Sequence, residues 1–333
     1  MNTPESIYDM AYTYMFAILL GTGATVFYNM ISNILRALGD SQTPLVFLIV
    51  SSVLNIVLDL VFIVPLQMGV AGAAWATVLS QLLSAVLCMW QGIRKFAVLR
   101  LRKADFQLTR ADVSEHLRIG FPMGFQMSVM CIGQLAMQGA VNALGAAAIA
   151  GYTAATKVDQ ISVLVNSAIG VAISNYVAQN YGAQQKDRIR VGIRDCLLLA
   201  TILNAAMCAL ILMCRNLVVP LFVSSPDAEI SRCANRYFLA VAPFYPVLGV
   251  LLTYRSGMQS MGNGKAPFAA CLVELVTRIA ATSLLAGKIG YTGICLASPL
   301  AWAGASVLLL PVYMHMIGKK EPHRSQTASA HTM

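Results

Sequence analysis

An aspartate and an asparagine one helical turn apart are the sharpest candidates for chemistry in this sequence. Asp59 lies within the apolar run LNIVLDLVFIV, and Asn55 precedes it by four residues, so both side chains share one face of a helix. An ionised carboxylate inside hydrocarbon is costly unless it is paired. We therefore expect the two residues to take up a proton or to hold a small cation. The alternative is that Asp59 only forms hydrogen bonds within a helix bundle.

Glu274 and Arg278 form a second charged pair, inside the apolar run CLVELVTRIA. Their spacing of four residues places them on one helical face, where each neutralises the other. This spacing favours a structural role. A charged pair inside a membrane also often faces a wet cavity, so a role in lining a substrate cavity stays open.

Amide side chains mark one face of a further apolar stretch. Their spacing predicts a polar stripe that faces protein or water rather than lipid, and its members are Gln126, Gln134, Gln138 and Asn142. Amide hydrogen bonds between helices are common in membranes. For Gln134, Gln138 and Asn142, the lining of a substrate cavity and the cross-linking of helices are equally open.

The apolar residues around these groups come in long blocks. Of the 333 residues, 58% are hydrophobic and 11% are charged, whereas a soluble domain carries about 25% charged residues. The blocks have the length that crosses a bilayer as a helix, and the alternating strands of a membrane barrel are absent. The sequence predicts an all-α polytopic membrane protein with about nine spans, near residues 11–37, 43–65, 70–92, 117–140, 146–180, 192–222, 233–260, 266–287 and 291–317. We expect Pro243, Pro246 and Pro299 to interrupt their spans.

The net charge of +9 comes from basic residues between the apolar blocks, which favours a role in topology over nucleic-acid binding. Short cytoplasmic loops retain an excess of Lys and Arg. Such residues crowd the connections after the third and fifth spans and the tail after the ninth, so these regions share one side. We expect a multi-pass protein of the cytoplasmic membrane with its C-terminus in the cytoplasm and its N-terminus outside.

No motif supports enzyme chemistry. The eight Cys are scattered without a C-x-x-C pair or a neighbouring His, and the sequence has no nucleophile elbow, phosphate loop or zinc spacing. We expect no enzymatic activity, no metal site and no cofactor apart from a coupling ion. The oligomeric state stays open.

Two stretches match at a constant offset, and each opens a unit of three spans. LRALGDSQTP and MQSMGNGKAP both end one span with a Gly-containing turn and begin the next with Pro. The matched pairs are Ala11 with Ala234, Tyr14 with Tyr237, Gly39 with Gly262, Pro44 with Pro267 and, after a two-residue gap, Gly69 with Gly290 and Gly72 with Gly293. The copies cross the membrane in the same direction because an even number of spans separates them.

This repeat predicts four regions. They are a partial N-terminal lobe of three helices (1–93), a cytoplasmic linker (94–116), a C-terminal lobe of six helices (117–318) and a polar cytoplasmic tail (319–333). Three spans of the second lobe have no counterpart in the first. The simplest account is that three spans are absent from the N-terminus.

The chain resembles the multidrug and toxic compound extrusion (MATE) family, a twelve-helix fold of two six-helix lobes. The resemblance rests on the order and spacing of several strings, among them TPESIYDMAYTYM, LRALGDSQTP, VLNIVLDLVFI, GVAGAAWAT, IGFPMGFQ, VNALGAAAIAGYTAATKV, VAQNYGAQQ and YTGICLASPLAW. In that register the family's first three helices are missing. In the DinF-like branch an Asn and an Asp of the fifth helix help to form the coupling-ion site, and Asn55 and Asp59 match them. The branch's further acid, from the first helix, has no counterpart here.

The resemblance implies efflux of small organic, cationic compounds, coupled to proton or sodium antiport and working by alternating access between two lobes. Membrane lipids and the transported compounds are the expected partners. Two alternatives stay open. The first is that the chain is a truncated, inactive fragment that needs the missing N-terminal helices. The second is that it is a lipid-linked sugar flippase of the wider superfamily, which a cavity lined by several Arg would favour.

Overall fold

The computed structural model describes residues 5–100, 105, 107, 109–222 and 228–318. The described residues form helices and short turns and contain no β-strand. Their α-helices are α1 (Glu5–Ala37), α2 (Gln42–Ile63), α3 (Gly69–Lys95), α4 (Arg110–Asn142), α5 (Ala146–Gly182), α6 (Lys186–Phe222), α7 (Ala228–Val241), α8 (Tyr245–Ser260), α9 (Lys265–Ile289) and α10 (Tyr291–Gly318).

Nine helical segments of the described chain are long and apolar enough to cross a membrane. Each helix makes one span, except that α7 and α8 together make the seventh, Ala228–Ser260. The predicted all-α fold and the number of spans are therefore confirmed. The predicted tail of 319–333 and part of the predicted linker of 94–116 lie outside the described residues.

The chain divides into two compact units, Met1–Leu108 and Thr109–Met333. In the first unit, α3 packs along both α1 and α2, which scarcely touch each other. Its small core contains Tyr28, Ile31, Leu35, Ala85 and Cys88. In the second unit, α8 lies against α5, α6 and α10 inside a much larger core. Helix α3 therefore holds α2 in place, whereas in the second unit α9 packs chiefly against α10 and α4.

The predicted interruption of the seventh span is confirmed, and that of the ninth is wrong. A 3₁₀ turn at Ala242–Phe244 separates α7 from α8, with Pro243 in the turn and Pro246 at the start of α8. Pro lacks the backbone donor that a continuous helix needs, and it is favoured at a helix start. Pro299 instead lies inside α10, which continues to Gly318. A membrane helix tolerates such a residue where neighbouring helices enclose it, and Pro299 is buried.

The internal repeat has the same backbone geometry in both units. Gly39 and Gly262 adopt φ values of 88° and 80°, and Gly69 and Gly290 adopt 56° and 58°. Residues with a Cβ rarely take these left-handed conformations, which explains why glycine stands at each position. The sequence match therefore reflects two copies of one helix–turn–helix–turn–helix unit.

Asp40 closes the first of these turns in the first unit. Its carboxylate accepts hydrogen bonds from the backbone N and the hydroxyl of Thr43, at 3.0 and 2.7 Å, and Lys95 Nζ at the end of α3 donates at 2.7 Å. Burial alone would raise the pKa of Asp40, but the hydrogen bonds from Lys95 and Thr43 outweigh it and lower the pKa from 3.8 to about 2. Asp40 therefore stays ionised throughout the physiological range.

Asn263 makes the same connection in the second unit without charge. Its Oδ1 accepts from the backbone N of Ala266 at 3.2 Å, and its Nδ2 lies 3.1 Å from Sδ of Met316 in the last turn of α10. Asn263 and Met316 occupy the repeat positions of Asp40 and Lys95. Both copies of the repeat therefore join the turn to the end of the third helix, by a charged contact in the first unit and by a neutral one in the second.

Replacing Asp40 by Asn should lower stability at neutral pH by about 1 kcal/mol, because hydrogen bonds to a charged group are lost. A carboxylate with a lowered pKa contributes above its unfolded pKa and loses that contribution as the pH falls towards its folded value. The difference between wild type and D40N should therefore disappear on acidification between about 4 and 2. Thermal unfolding of both detergent-purified proteins over a pH series measures this difference in stability.

The double variant D40N/K95M serves as the matched control, since it copies the contact of the second unit. It should recover part of the lost stability and show no such pH dependence. Equal stability of D40N and wild type at neutral pH would contradict the role of Asp40.

Two buried asparagines join α5 to α6, and α8 packs against the pair. Asn166 Nδ2 donates to Asn204 Oδ1 at 2.8 Å, and Asn204 Nδ2 donates to Asn166 Oδ1 at 2.9 Å. Gly249 of α8 makes room for the pair, because a Cβ there would lie 2.7 Å from Asn204 Nδ2. The pair satisfies its own polar atoms, as the membrane interior requires.

Replacing Gly249 by Ala should destabilise the protein by about 1–3 kcal/mol, because the added methyl group displaces the asparagine pair. Gly139→Ala is the matched control, since nothing lies within 4 Å of that Cβ position and Ala favours helix. The G249A and G139A proteins are compared by heating each one and measuring the fraction that remains in the monodisperse peak in size-exclusion chromatography. A G249A protein as stable as G139A would disprove the close packing.

Candidate functional site

Polar contacts follow the seam between α2 and α3. Ser84 Oγ donates to the backbone oxygen of Phe47, and Ser51 Oγ donates to that of Ser80, each at 2.9 Å. The helices run antiparallel, so successive turns of α2 meet successive turns of α3. The seam thus offers one polar position per turn and leads to Asn55 and Asp59.

Asn55 and Asp59 lie at the next two turns of α2 and are both half-buried. Asn55 Nδ2 lies 3.5 Å from Thr77 Oγ1 of α3, which itself donates to the backbone oxygen of Ala73 at 3.0 Å. Asp59 Oδ1 is buried and has no hydrogen-bond partner among the described residues. The predicted pair therefore lies on one face, as expected, and its carboxylate is incompletely satisfied.

Oxygen groups of the kind that can bind a small positive ion lie along this seam. The Asn55 amide oxygen, the Thr77 hydroxyl and the Asp59 carboxylate are oxygen groups on two adjacent helices. An ionised carboxylate without donors is unfavourable in a membrane, and a bound proton or cation removes that cost. Within the described residues no group of three or more His, Cys, Asp or Glu gathers to hold a metal ion.

Glu274 pairs with a residue of another helix, which corrects the predicted pairing with Arg278. Arg255 of α8 donates from Nη2 to Glu274 Oε1, and both side chains are about 5% exposed. Arg278 turns towards α4, where a Cβ on Gly133 would lie 3.3 Å from its Nη1. Spacing along one helix did not predict the pairing, because the crossing of α8 and α9 brings a second arginine to Glu274.

The predicted amide stripe of α4 does not form one surface. Gln126 is buried and accepts a hydrogen bond from Gln259 Nε2 of α8 at 2.9 Å. Gln138 Nε2 donates to Asn142 Oδ1 at 2.9 Å, and Gln134 is exposed on the second unit. Gln126 thus cross-links helices, while the structure places Gln134, Gln138 and Asn142 on the exposed or half-buried part of α4.

Arg255 and Thr77 were missed in the sequence. Arg255 lies in the apolar stretch VLLTYRSGM, so the reasoning that selected Asp59, a lone charge inside a span, could have found it. Thr77 gave no such signal, because a hydroxyl inside an apolar helix commonly bonds to its own preceding turn, as Thr77 also does.

Comparison with known proteins places this fold in a family. The family model described as MatE matches residues 1–61 and 122–284. A Bacillus subtilis relative named "Probable multidrug resistance protein YpnP" is 30% identical over 320 residues, which cover 95% of the chain and 70% of that relative. The chain belongs to the MATE family.

Other members agree with this assignment. The Bacillus subtilis relative named "Probable multidrug resistance protein YoeA" is 27% identical, over 96% of the chain and 71% of its own length. A crystal structure of the Vibrio cholerae MATE transporter VcmN superposes with a TM-score of 0.87, over 95% of the chain and 71% of that structure, at 16% identity. At that identity the likeness establishes the MATE fold alone. The chain is a multi-pass membrane protein of a multidrug efflux transporter family.

Removal of the Glu274 charge should destabilise this MATE protein strongly. Glu274→Gln leaves Arg255 buried without its counter-charge, and loss of one partner of a buried pair costs about 3–5 kcal/mol. Loss of the folded fraction on heating in detergent measures the effect. The double variant R255M/E274M, which removes both charges, should retain most of the wild-type stability.

Glu229→Gln, at the exposed start of α7, is the control and should behave as wild type. If R255M/E274M is no more stable than E274Q, the ion pair is not what Glu274 contributes.

Proposed function

We propose that this chain is a cation-coupled multidrug antiporter in which Asp59 carries the coupling ion and Asn55 assists it. The observation that carries the proposal is the buried Oδ1 of Asp59, which has no partner among the described residues and lies one turn from Asn55. Membership in the MATE family supports a role of this carboxylate in transport. The coupling ion is a proton or sodium, since a carboxylate suits both.

The proposed cycle follows from the cost of charge in a membrane. When Asp59 is neutralised by an ion, the α2–α3 seam can close around it without penalty. When the ion leaves, the carboxylate requires water or another positive group. One negative charge can be neutralised by the ion or by a cationic substrate, but not by both, so the two compete.

Competition for a single charge gives antiport. The ion enters from the outside, where it is abundant, and favours release of the substrate to that side. The empty carboxylate then recruits an organic cation from the inside. We infer that the transported compounds are small, organic and cationic, that they cross the cytoplasmic membrane by alternating access, and that the C-terminus faces the cytoplasm.

The arginines of the second unit give weaker support to a lipid-linked sugar flippase. Arg255 and Arg278 are both buried, at 4% and 7% exposure, but Arg255 is neutralised by Glu274. Among the described residues this leaves Arg278 as the buried arginine without an ion pair. A carrier of multiply charged headgroups would require several such groups.

Asp59→Asn should reduce drug resistance to the level of empty vector, because the amide cannot exchange a proton or neutralise a cation. Resistance is measured in a host that lacks its main efflux pumps, and the membrane level of each variant is measured by immunoblot. Asp187→Asn is the matched control, since Asp187 is 93% exposed at the start of α6, and it should retain wild-type resistance.

If D59N reaches the membrane at the normal level and still confers full resistance, the proposed role of Asp59 is wrong. A wild-type chain that reaches the membrane and confers no resistance would contradict efflux by this chain. In inverted vesicles, substrate-induced loss of a proton gradient or of a sodium gradient identifies the ion.

A further inference from the structure

A second incompletely satisfied carboxylate lies inside the second unit. Asp159 of α5 accepts a hydrogen bond at Oδ2 from the hydroxyl of Tyr237 on α7, at 3.2 Å. Its Oδ1 is buried and has no hydrogen-bond partner in the described part of the chain. Asp159 therefore resembles Asp59 in having one oxygen that no donor satisfies.

The hydroxyl of Tyr245 is buried and close enough to the same carboxylate to interact with it, but the two form no hydrogen bond of ordinary geometry. The break between α7 and α8 separates Tyr237 from Tyr245, so each phenol reaches Asp159 from its own helix. Two buried polar atoms, Asp159 Oδ1 and Tyr245 Oη, thus lie near each other without a well-formed hydrogen bond between them.

The charged and titratable groups around Asp159 come from every helix of this region. Arg278 of α9 is the positive charge that acts on the carboxylate, without forming an ion pair within 4 Å in the described residues. Tyr152 stacks edge-on against Tyr237, with ring centroids 5.5 Å apart. The remaining groups adjoin these tyrosines and are Cys208 of α6 and Cys295 of α10.

A proton is the ligand that this arrangement suits. An ionised Asp159 has one well-formed hydrogen bond from Tyr237, a second phenol beside it and an arginine that forms no ion pair with it, whereas buried carboxylates need several donors to remain charged. A metal ion would need more oxygen or nitrogen ligands than a single carboxylate, and no cluster of His, Cys, Asp and Glu occurs in the described residues. A proton requires no cavity.

We infer that Asp159 is a proton-binding site of the second unit, with Tyr237 and Tyr245 as its hydrogen-bonding partners. The proton comes from water and forms an O–H bond at Oδ1. That hydroxyl then donates to Tyr245 Oη, which satisfies both buried atoms, while Tyr237 continues to donate to Oδ2. On release the proton returns to water and the carboxylate is again negative.

Protonation of Asp159 also changes the surroundings of Arg278. The ionised carboxylate supplies Arg278 with a negative charge at a distance, and the neutral acid does not. Because Arg278 lies against Gly133 of α4, proton uptake on α5 is felt where α4 meets α9. The inference concerns a site separate from Asp59 and does not depend on the role proposed there.

Infrared difference spectroscopy of the purified protein in sodium-free buffer tests the proton site. As the pH is lowered, the wild type should gain the C=O stretch of a protonated carboxyl at pH values where an exposed aspartate, with a pKa of about 3.9, stays ionised. Asp159→Asn should lack that band. Asp187→Asn, which removes a 93% exposed carboxylate, should retain it.

Tyr245→Phe provides a second variant. It removes the acceptor for the Oδ1 proton and should shift the pH at which the band appears, even if D159N does not fold. A spectrum of folded D159N identical to that of wild type would overturn the inference. A band that Y245F leaves unmoved would overturn the assignment of Tyr245.

D59N distinguishes the two proposals. It should lose resistance while keeping the Asp159 band. If D59N retains resistance but D159N loses its band, the role of Asp59 fails and the proton site of the second unit stands. If D59N loses resistance and folded D159N keeps the wild-type band, the role of Asp59 stands and the proton site of the second unit fails.

Discussion

The hydrocarbon interior requires each polar group to find its partner within the protein, and this requirement organises the whole chain. Where partners are available, polar side chains pair across helices, as do the amides of Asn166 and Asn204 and the charges of Arg255 and Glu274. Where a donor to a buried carboxylate is missing, one of its oxygens stays without a partner within the part of the chain that the structure describes. Asp59 and Asp159 are two such places, one in each unit.

Properties that follow from hydropathy and local backbone geometry could be predicted from the sequence. The nine spans, the glycine turns at Gly39 and Gly262 and the break at Pro243 all depend on segments of a few residues or on composition. Asp59 could also be identified, because a lone acid in an apolar run is informative without knowledge of its neighbours.

Partners on other helices could not be predicted in this way. Periodicity gives the face of a helix but not the helix that the face meets, so Glu274 was matched with Arg278 on α9 instead of Arg255 on α8. The surroundings of Asp159 could not be predicted either, because its neighbouring phenols lie on α7 and α8. The uninterrupted course of α10 through Pro299 also depends on the helices that enclose it.

The amide pair of Asn166 and Asn204 has a consequence for motion within the second unit. Neither side chain titrates or carries charge, so proton concentration and membrane voltage leave the junction of α5, α6 and α8 unchanged. Asp159 lies on the same helix as Asn166, two turns earlier. The junction of α5, α6 and α8 can therefore stay fixed when the charge at Asp159 changes. Any resulting shift of α7 or α9 is then a movement relative to these three helices and not a general loss of packing.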